Sequence, residues 1–478
     1  MAQTPKIWYN GSAQTTTPEE RVHATAIVTQ NPDEIKTSET VSSFMRRFGI
    51  AKLLARCGAY KEKGISVLEL FLAVFQNVFS DRSMYRQMKT GRWDHEFSKN
   101  TVYRFRNCGK IHWERFTALL SAAVTNVLRP LTSEKRKETF IVDDTLYART
   151  GYRRTELCAK VYDHSDGRYR KGFRLLTHGW SDGNTFLPVT HRLLSSANEK
   201  NVLGTVEKQD NRTLAGRHRK QARKKGTEVM MDLLKSALKA GHRADYVLFD
   251  TWFSNPKQIA AVKELKMDVI AMVKKTGKIH YRYGGEMLDI KLIFARNRKR
   301  RGRSRYLLSV DVTVISGKQE IPAKIVCVRN RSNRKDWLAI LSTDTTLEET
   351  EIIRLYGRRW GIEVFFKTCK SVLKLSSEYH GLSYDALTSH VSIVFARYIF
   401  LAYLNRMETD ERSFGDLFYA VVDELADITF DHALSLIVSA LIDSVREIFH
   451  ATNEQITAVM NDMLSRLPVH LRNCLCAA

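Results

Sequence analysis

The spacing of apolar and polar positions changes along this chain, and each change predicts a different kind of element. From about residue 41 to 130 the apolar residues recur at helical spacing. Val67, Leu70, Phe71, Val74, Phe75 and Val78 are an example, and no long β-branched run interrupts them. At Thr139 the pattern shifts to short apolar runs. Thr-Phe-Ile-Val-Asp-Asp-Thr reads as a strand closing on Asp143 and Asp144. Phe173 to Trp180 and Thr185 to Leu193 read as strands joined by the turn-rich Ser-Asp-Gly-Asn. An amphipathic helix is predicted around Thr227 to Leu238, then buried strands at Tyr246 to Asp250 and Val269 to Val273.

Residues 276 to 346 have strand character again, clearest in Leu307 to Ile315 and Ile321 to Val328. One long helix is predicted from near Leu347 into the 370s, and the last hundred residues are helical. This order predicts an α/β protein with one core and additions to it. The expected parts are a helical N-terminal region (1–135), a first core part (136–275), a β-strand insertion (276–346), a core helix (347–378) and a helical C-terminal region (379–478). The Thr-rich first forty residues are expected to be loosely ordered.

Composition adds a partner. The 478 residues leave room for about three domains. Lys and Arg total 76 against 52 Asp and Glu, a net charge of +24. Such an excess suits a polyanion, because each cation that meets a phosphate releases a condensed counterion. The seven cysteines (Cys57, Cys108, Cys158, Cys327, Cys369, Cys474, Cys476) show no CxxC and no zinc spacing with histidine. They are expected to be reduced thiols of a cytoplasmic, nucleoid-associated protein. The N-terminus lacks the apolar core of a signal peptide. Val391 to Leu404 is short and carries Arg397, so a buried helix is expected and no membrane partner.

The candidate chemistry concentrates late in the chain. On a helix at about 100° per residue, Tyr356, Arg359, Glu363 and Lys370 share roughly 60° of arc, with Lys367 close by. Leu355, Ile362, Phe366 and Cys369 form the neighbouring apolar stripe. A carboxylate among cations suits a face that meets both a metal and a phosphate; ordinary i, i+4 pairing of Glu363 with Lys367 is the plainer account. Asp144 and Asp250 close two predicted strands. Hard divalent cations take oxygen ligands, and phosphodiester cleavage needs several carboxylates at one point. A turn or cap role is the commoner fate of either Asp alone. Alternation along a strand leaves Asp143 and Asp144 open, because neighbours face opposite ways. Ser98 could cap a helix whose Lys99, Asn100, Tyr103, Arg104 and Arg106 suit phosphates and base edges. The run Arg296 to Arg305 reads as a solvated hairpin tip or a phosphate-tracking loop. His164, His178 and His191 read as structural or peripheral.

The pattern Tyr-x2-Arg-x3-Glu-x6-Lys, present as Tyr356 to Lys370, resembles the signature of the insertion-sequence-four group of DDE transposases. Asp143-Asp144-Thr145 resembles the first catalytic block of that group, with the second Asp as ligand. Phe249-Asp250-Thr251-Trp252-Phe253 resembles the second block, with Thr251-Trp252 in place of charged residues found in some relatives. The resemblance spans about 139 to 373. It implies a ribonuclease-H-like core with an inserted β domain, in which Asp144, Asp250 and Glu363 hold two Mg²⁺ ions, or Mn²⁺ in their place. It further implies that Tyr356, Arg359, Lys367 and Lys370 contact DNA. Trp337 resembles the group's stacking Trp for a flipped base, with Trp360 a second candidate and a core role for Trp337 equally open.

The reaction implied is hydrolysis at terminal inverted repeats, transesterification through a hairpin, and joining to target DNA. A homodimer is implied, with Ala386 to Leu404 and Phe430 to Ile442 as possible contacts. The competing readings are a domesticated or repressor-like DNA-binding protein and a ribonuclease-H-like nuclease.

Overall fold

The computed structural model describes residues 39–468, except 81–82, 91–92, 94, 134, 164–165, 208, 303, 331–332, 334 and 408–412. The polar N-terminal stretch, His164, Cys474 and Cys476 lie outside the described residues. Contacts divide the chain into a large unit, Phe44–Phe418, and a smaller one whose described residues are 39–43 and 419–468.

The helical opening comprises α1 (Glu39–Arg47), α2 (Ile50–Arg56), α3 (Val67–Gln76), α4 (Met84–Lys89), α5 (Lys99–Arg106) and α6 (Trp113–Leu128). Ser66 starts α3 by accepting the Glu69 amide at 3.1 Å, and the helix buries Leu70, Phe71, Val74 and Phe75 as its spacing requires.

The sheet begins with β1 (Thr139–Ala148), β2 (Ala159–Asp163), β3 (Arg168–Ser181) and β4 (Phe186–Leu194). Next come α7 (Leu214–Ala222), α8 (Gly226–Lys239), β5 (Tyr246–Phe249), α9 (Pro256–Glu264) and β6 (Asp268–Met272). β1, β5 and β6 are parallel neighbours, β3 runs antiparallel to β1, and β4 pairs with β3. Strands β4-β3-β1-β5-β6 therefore have the order of a ribonuclease-H-like core. Ile141, Val142, Val247, Leu248, Val269 and Ile270 are wholly buried, which is why the central strands read as continuous apolar runs.

The 276–346 block adds β7 (His280–Tyr283), β8 (Glu286–Asp289), α10 (Ile290–Arg296), β9 (Leu308–Ser316), β10 (Gln319–Arg329) and β11 (Trp337–Ser342). These strands extend the same sheet, because β11 pairs antiparallel with β6.

The single long helix expected from Leu347 is two: α11 (Glu349–Gly357) and α12 (Trp360–Ser371). Between them the ladder tightens to i−3 bonds, with the amides of Arg359 and Gly361 donating to the carbonyls of Tyr356 and Arg358. Gly357 and Gly361 flank this step and lower its helical preference. α13 (Tyr384–Met407) follows and is buried almost throughout, although it is long and apolar enough to cross a membrane. Its Arg397 donates to the carbonyls of Val74 and Phe75 and to Glu378. The described cysteines Cys57, Cys108, Cys158, Cys327 and Cys369 are free thiols.

In the smaller unit, the far part of α14 (Phe414–Phe449) and α15 (Asn453–Arg466) share a core of Val438, Ile442, Ile456, Met460 and Leu464. Thr452 and Gln455 form a capping box at the start of α15.

Candidate active site

β1 and β5 are parallel and in register from Thr139–Tyr246 to Val142–Phe249, so the C-terminal end of β5 lies beside the middle of β1. Asp143 and Asp250 are the next residues on each. Backbone alternation sends Asp143 and Asp144 to opposite faces of the sheet. Lys370 of α12 donates to Thr145 Oγ1 at 2.7 Å, which places α12 on the Asp143 face.

Asp143 accepts from Arg359 Nη1 at 2.5 Å, and the second Arg359 nitrogen reaches Glu363. One guanidinium thus ties the middle of β1 to the first turn of α12. Burial pushes the Asp143 carboxyl up to about 7; Arg359 opposes that rise, and the carboxylates of Asp250 and Asp144 add to it. The Tyr356 phenol is likewise pushed up to about 12, by burial first and then, against Arg359, by Asp250 and Asp143. It stays a neutral donor at neutral pH. Asp143, Asp250, Tyr356, Arg359 and Glu363 therefore occupy one neighbourhood.

Asp144 lies elsewhere. Its carboxylate pairs with Arg174 of β3, and the Arg174 guanidinium sits 4.9 Å from the ring of Trp252. Asp250 fixes the turn between them by accepting the Trp252 amide at 2.9 Å. The family pattern favoured Asp144, but the strand alternation, which the sequence leaves in either phase, puts Asp143 with Arg359 and Glu363. The contacts that fix the phase lie far along the chain, so no local signal marks it.

The remaining candidates are spread more widely. Lys367 and Lys370 lie on exposed positions of α12. Trp360 stands 66 % exposed at the tightened step, beside a groove lined by Gly183, Phe186 and Arg358. Trp337 is half-buried and stacked on Phe294, with ring centroids 4.0 Å apart and planes 11° from parallel. Lys275 lies 5.0 Å from its ring. Lys99 and Arg104 are exposed on α5.

Arg106, expected among the phosphate contacts, is buried instead. It bonds His390 Nδ1 at 2.8 Å and lies 3.5 Å from the Tyr379 ring centre. The helical period explains this: Val102, Phe105 and Arg106 share the buried side of α5. Likewise Arg219, in the basic stretch 212–225, is committed to Glu156 at 2.5 Å and Asp385 at 2.8 Å. His178 and His191 are buried, and burial lowers both to about 3.

A second group of metal-ligand types was invisible in the sequence, where His218 lies about a hundred residues from the other two. His112, Glu114 and His218 offer atoms within 4.8 Å of one another. Glu114 is held by Arg192 of β4 at 2.5 Å. Burial, then Arg192, Arg115 and Arg217, lower His112 to about 4, and the same positive field opposes a cation there. The carboxylate neighbourhood where the end of β5 meets the middle of β1 fits a hard divalent cation better. Its donors are oxygens, and a guanidinium already bridges two of them.

Asp143 in the middle of β1 and Asp250 just after β5, on a ribonuclease-H-like sheet, are placed as the carboxylates of a metal-dependent phosphodiester-cleaving enzyme would be. The family model for DDE superfamily endonucleases matches residues 65–340, more than half of the chain. The protein belongs to that family, whose members act on DNA with divalent metals and cleave phosphodiesters as transposases or nucleases. The match ends before α11, so Glu363 rests on geometry. No curated protein matches the chain significantly.

Proposed function

We propose that this protein is a cut-and-paste DNA transposase of the insertion-sequence-four group. In this reading Asp143, Asp250 and Glu363 hold two Mg²⁺ ions, and Asp143 takes the place that the family pattern gave to Asp144. The observation that carries it is Arg359, which joins Glu363, four residues on, to Asp143, 216 residues back. A buried cation between carboxylates, with Asp250 raising the Asp143 carboxyl further, marks a site where positive charge is wanted.

When bound, the ions supply Lewis-acid activation of the attacking water or 3′-hydroxyl and stabilisation of the leaving oxygen. The chain's own residues bind and orient. Arg359, Lys367 and Lys370 present cations to phosphates near the cleaved bond, and Tyr356 presents a protonated hydroxyl. Asp144 fixes Arg174 and, through it, the turn carrying Trp252. No side chain needs to act as a nucleophile. Trp360 and Trp337 are candidates to stack on a base unpaired during hairpin formation.

Two ends cut together call for a homodimer. α13 is occupied by its own unit, so the contact is assigned to α14. Phe430, Ile437, Leu441 and Ile448 are 47–70 % exposed and fall within about 40° of arc on that helix. Mass measurement in solution tests this.

The decisive experiment incubates the purified protein with Mg²⁺ and a plasmid carrying short inverted repeats taken from the DNA flanking its gene. Excision followed by strand joining is expected. Hydrolysis of generic duplex without joining would instead identify a nuclease, and binding without cutting a DNA-binding protein.

A further inference from the structure

β3 is longer than its partners. β1 pairs with it only as far as Ala148 opposite Gly172, and β4 only as far as Leu194 opposite Arg174. Beyond Gly172, among the described residues, it pairs with β2 alone, from Ala159–Gly172 to Asp163–Arg168. The two strands form a ribbon that continues past the C-terminal end of β1, five residues beyond Asp143.

The ribbon has two chemically different faces. Lys160 pairs with Lys171 and Tyr162 with Tyr169, so these four share one face. All four are exposed, Tyr169 by 61 %. The same parity, followed through Phe173–Tyr147 and Leu175–Thr145, puts them on the Asp143 side of the sheet. The rings of Tyr162 and Tyr169 meet edge to face at 5.4 Å, and Lys160 lies 5.2 Å from the Tyr169 ring. Lys171 lies 3.8 Å from the ring of Tyr152, beside Arg153 and Arg154. Two exposed tyrosines among exposed lysines serve no core. They offer ammonium groups and hydroxyls suited to phosphate oxygens, and no carboxamide of the kind that reads base edges.

We propose that this face of the β2–β3 ribbon binds the backbone of duplex DNA flanking the cleavage site. The inference rests on the reading of the carboxylates as the cleavage site. From Thr177, the partner of Asp143, the strand covers about 20 Å to Lys171 and about 27 Å to Tyr169 at ~3.4 Å per residue. The contact therefore falls about six to eight base pairs from the cut bond. It holds the duplex in place and reads no sequence. A two-stranded ribbon on a polyanion also accounts for part of the +24 charge that the carboxylate neighbourhood leaves unused.

The test measures binding to a duplex of about 30 base pairs in EDTA across a salt series. Replacing both lysines (Lys160→Ser with Lys171→Ser) is expected to flatten the slope of log K against log salt by about 1.8, since each lost phosphate contact contributes ~0.9. Affinity at low salt is expected to fall about tenfold or more. A parent slope in a variant with unchanged circular dichroism and Tm overturns the proposal. Acetylation of the unaltered protein gives a readout that needs no variant: the duplex is expected to shield Lys160 and Lys171, and equal labelling with and without DNA counts against the ribbon. The two readings fail separately. If Asp143→Asn abolishes cutting while the lysine variant keeps the parent slope, the active-site reading stands and the ribbon falls. If the slope drops but the parent never cuts with Mg²⁺ or Mn²⁺, the ribbon stands and the active-site reading falls.

Discussion

Arg359 Nη1 donates to Asp143 Oδ2 at 2.5 Å, and the same side chain holds Glu363. A guanidinium in that position neutralises carboxylates that would otherwise repel one another, so it competes with a metal ion for them. Removing it should make the metal matter more to the fold. Arg359→Gln is expected to have a lower Tm than the parent without metal and a larger rise in Tm on saturation with Mg²⁺. A ligand at 100 times its Kd stabilises by about 2.7 kcal/mol. Differential scanning fluorimetry over a Mg²⁺ series checks this, and equal increments in both proteins would show that Arg359 does not compete.

The adjacent aspartates are expected to separate cleanly. Asp143→Asn removes a ligand and should lower cleavage about a thousandfold or more, the size of several kcal/mol of transition-state stabilisation. Asp144→Asn breaks a pair with Arg174 on the other face and should leave most of the activity. Rates on a nicked-plasmid assay decide between them; a larger loss in Asp144→Asn would restore the family-pattern assignment.

Metal affinity should depend on pH through Asp143. Its metal-free carboxyl is held at about 7, above the usual carboxylate range, so at pH 6 it is mostly protonated. Metal binding must expel that proton. Affinity is therefore expected to rise about tenfold per pH unit below 7 and to level off above it. Calorimetry in buffers of different ionisation enthalpy would report close to one proton released at pH 6, and none at pH 8. Proton release that does not change with pH would count against the assignment.

The two candidate stacking residues differ in what they do without DNA. Trp337 is already stacked on Phe294, so Trp337→Ala should cost about 2 kcal/mol of stability. Trp360 is largely exposed, so Trp360→Ala should change stability by under about 0.5 kcal/mol. If Trp360 stacks on an unpaired base, the same change should lower end processing about tenfold. Urea unfolding and a hairpin-forming assay on both variants separate the roles.

Much of this protein was legible in its residues. The buried runs around Ile141, Leu248 and Ile270 are strands because a sheet covered on both faces needs continuous apolar segments, and local pattern carries that. The period of Ile362, Phe366 and Cys369 likewise set the docking face of α12, since all three are buried. Glu363, Asp250 and the cations near them were visible as residue types at suitable places. What sequence could not decide was set by partners distant in the chain. The break between α11 and α12 depends on a tightened turn that periodicity does not register. Arg106 looked like its exposed neighbours until His390 and Tyr379, nearly 300 residues on, took it inward. The choice between Asp143 and Asp144 was the clearest case. A strand's pleat sends neighbours to opposite faces, but only the helix packed on one face, bringing Arg359 and Lys370, decides which neighbour lies with Glu363.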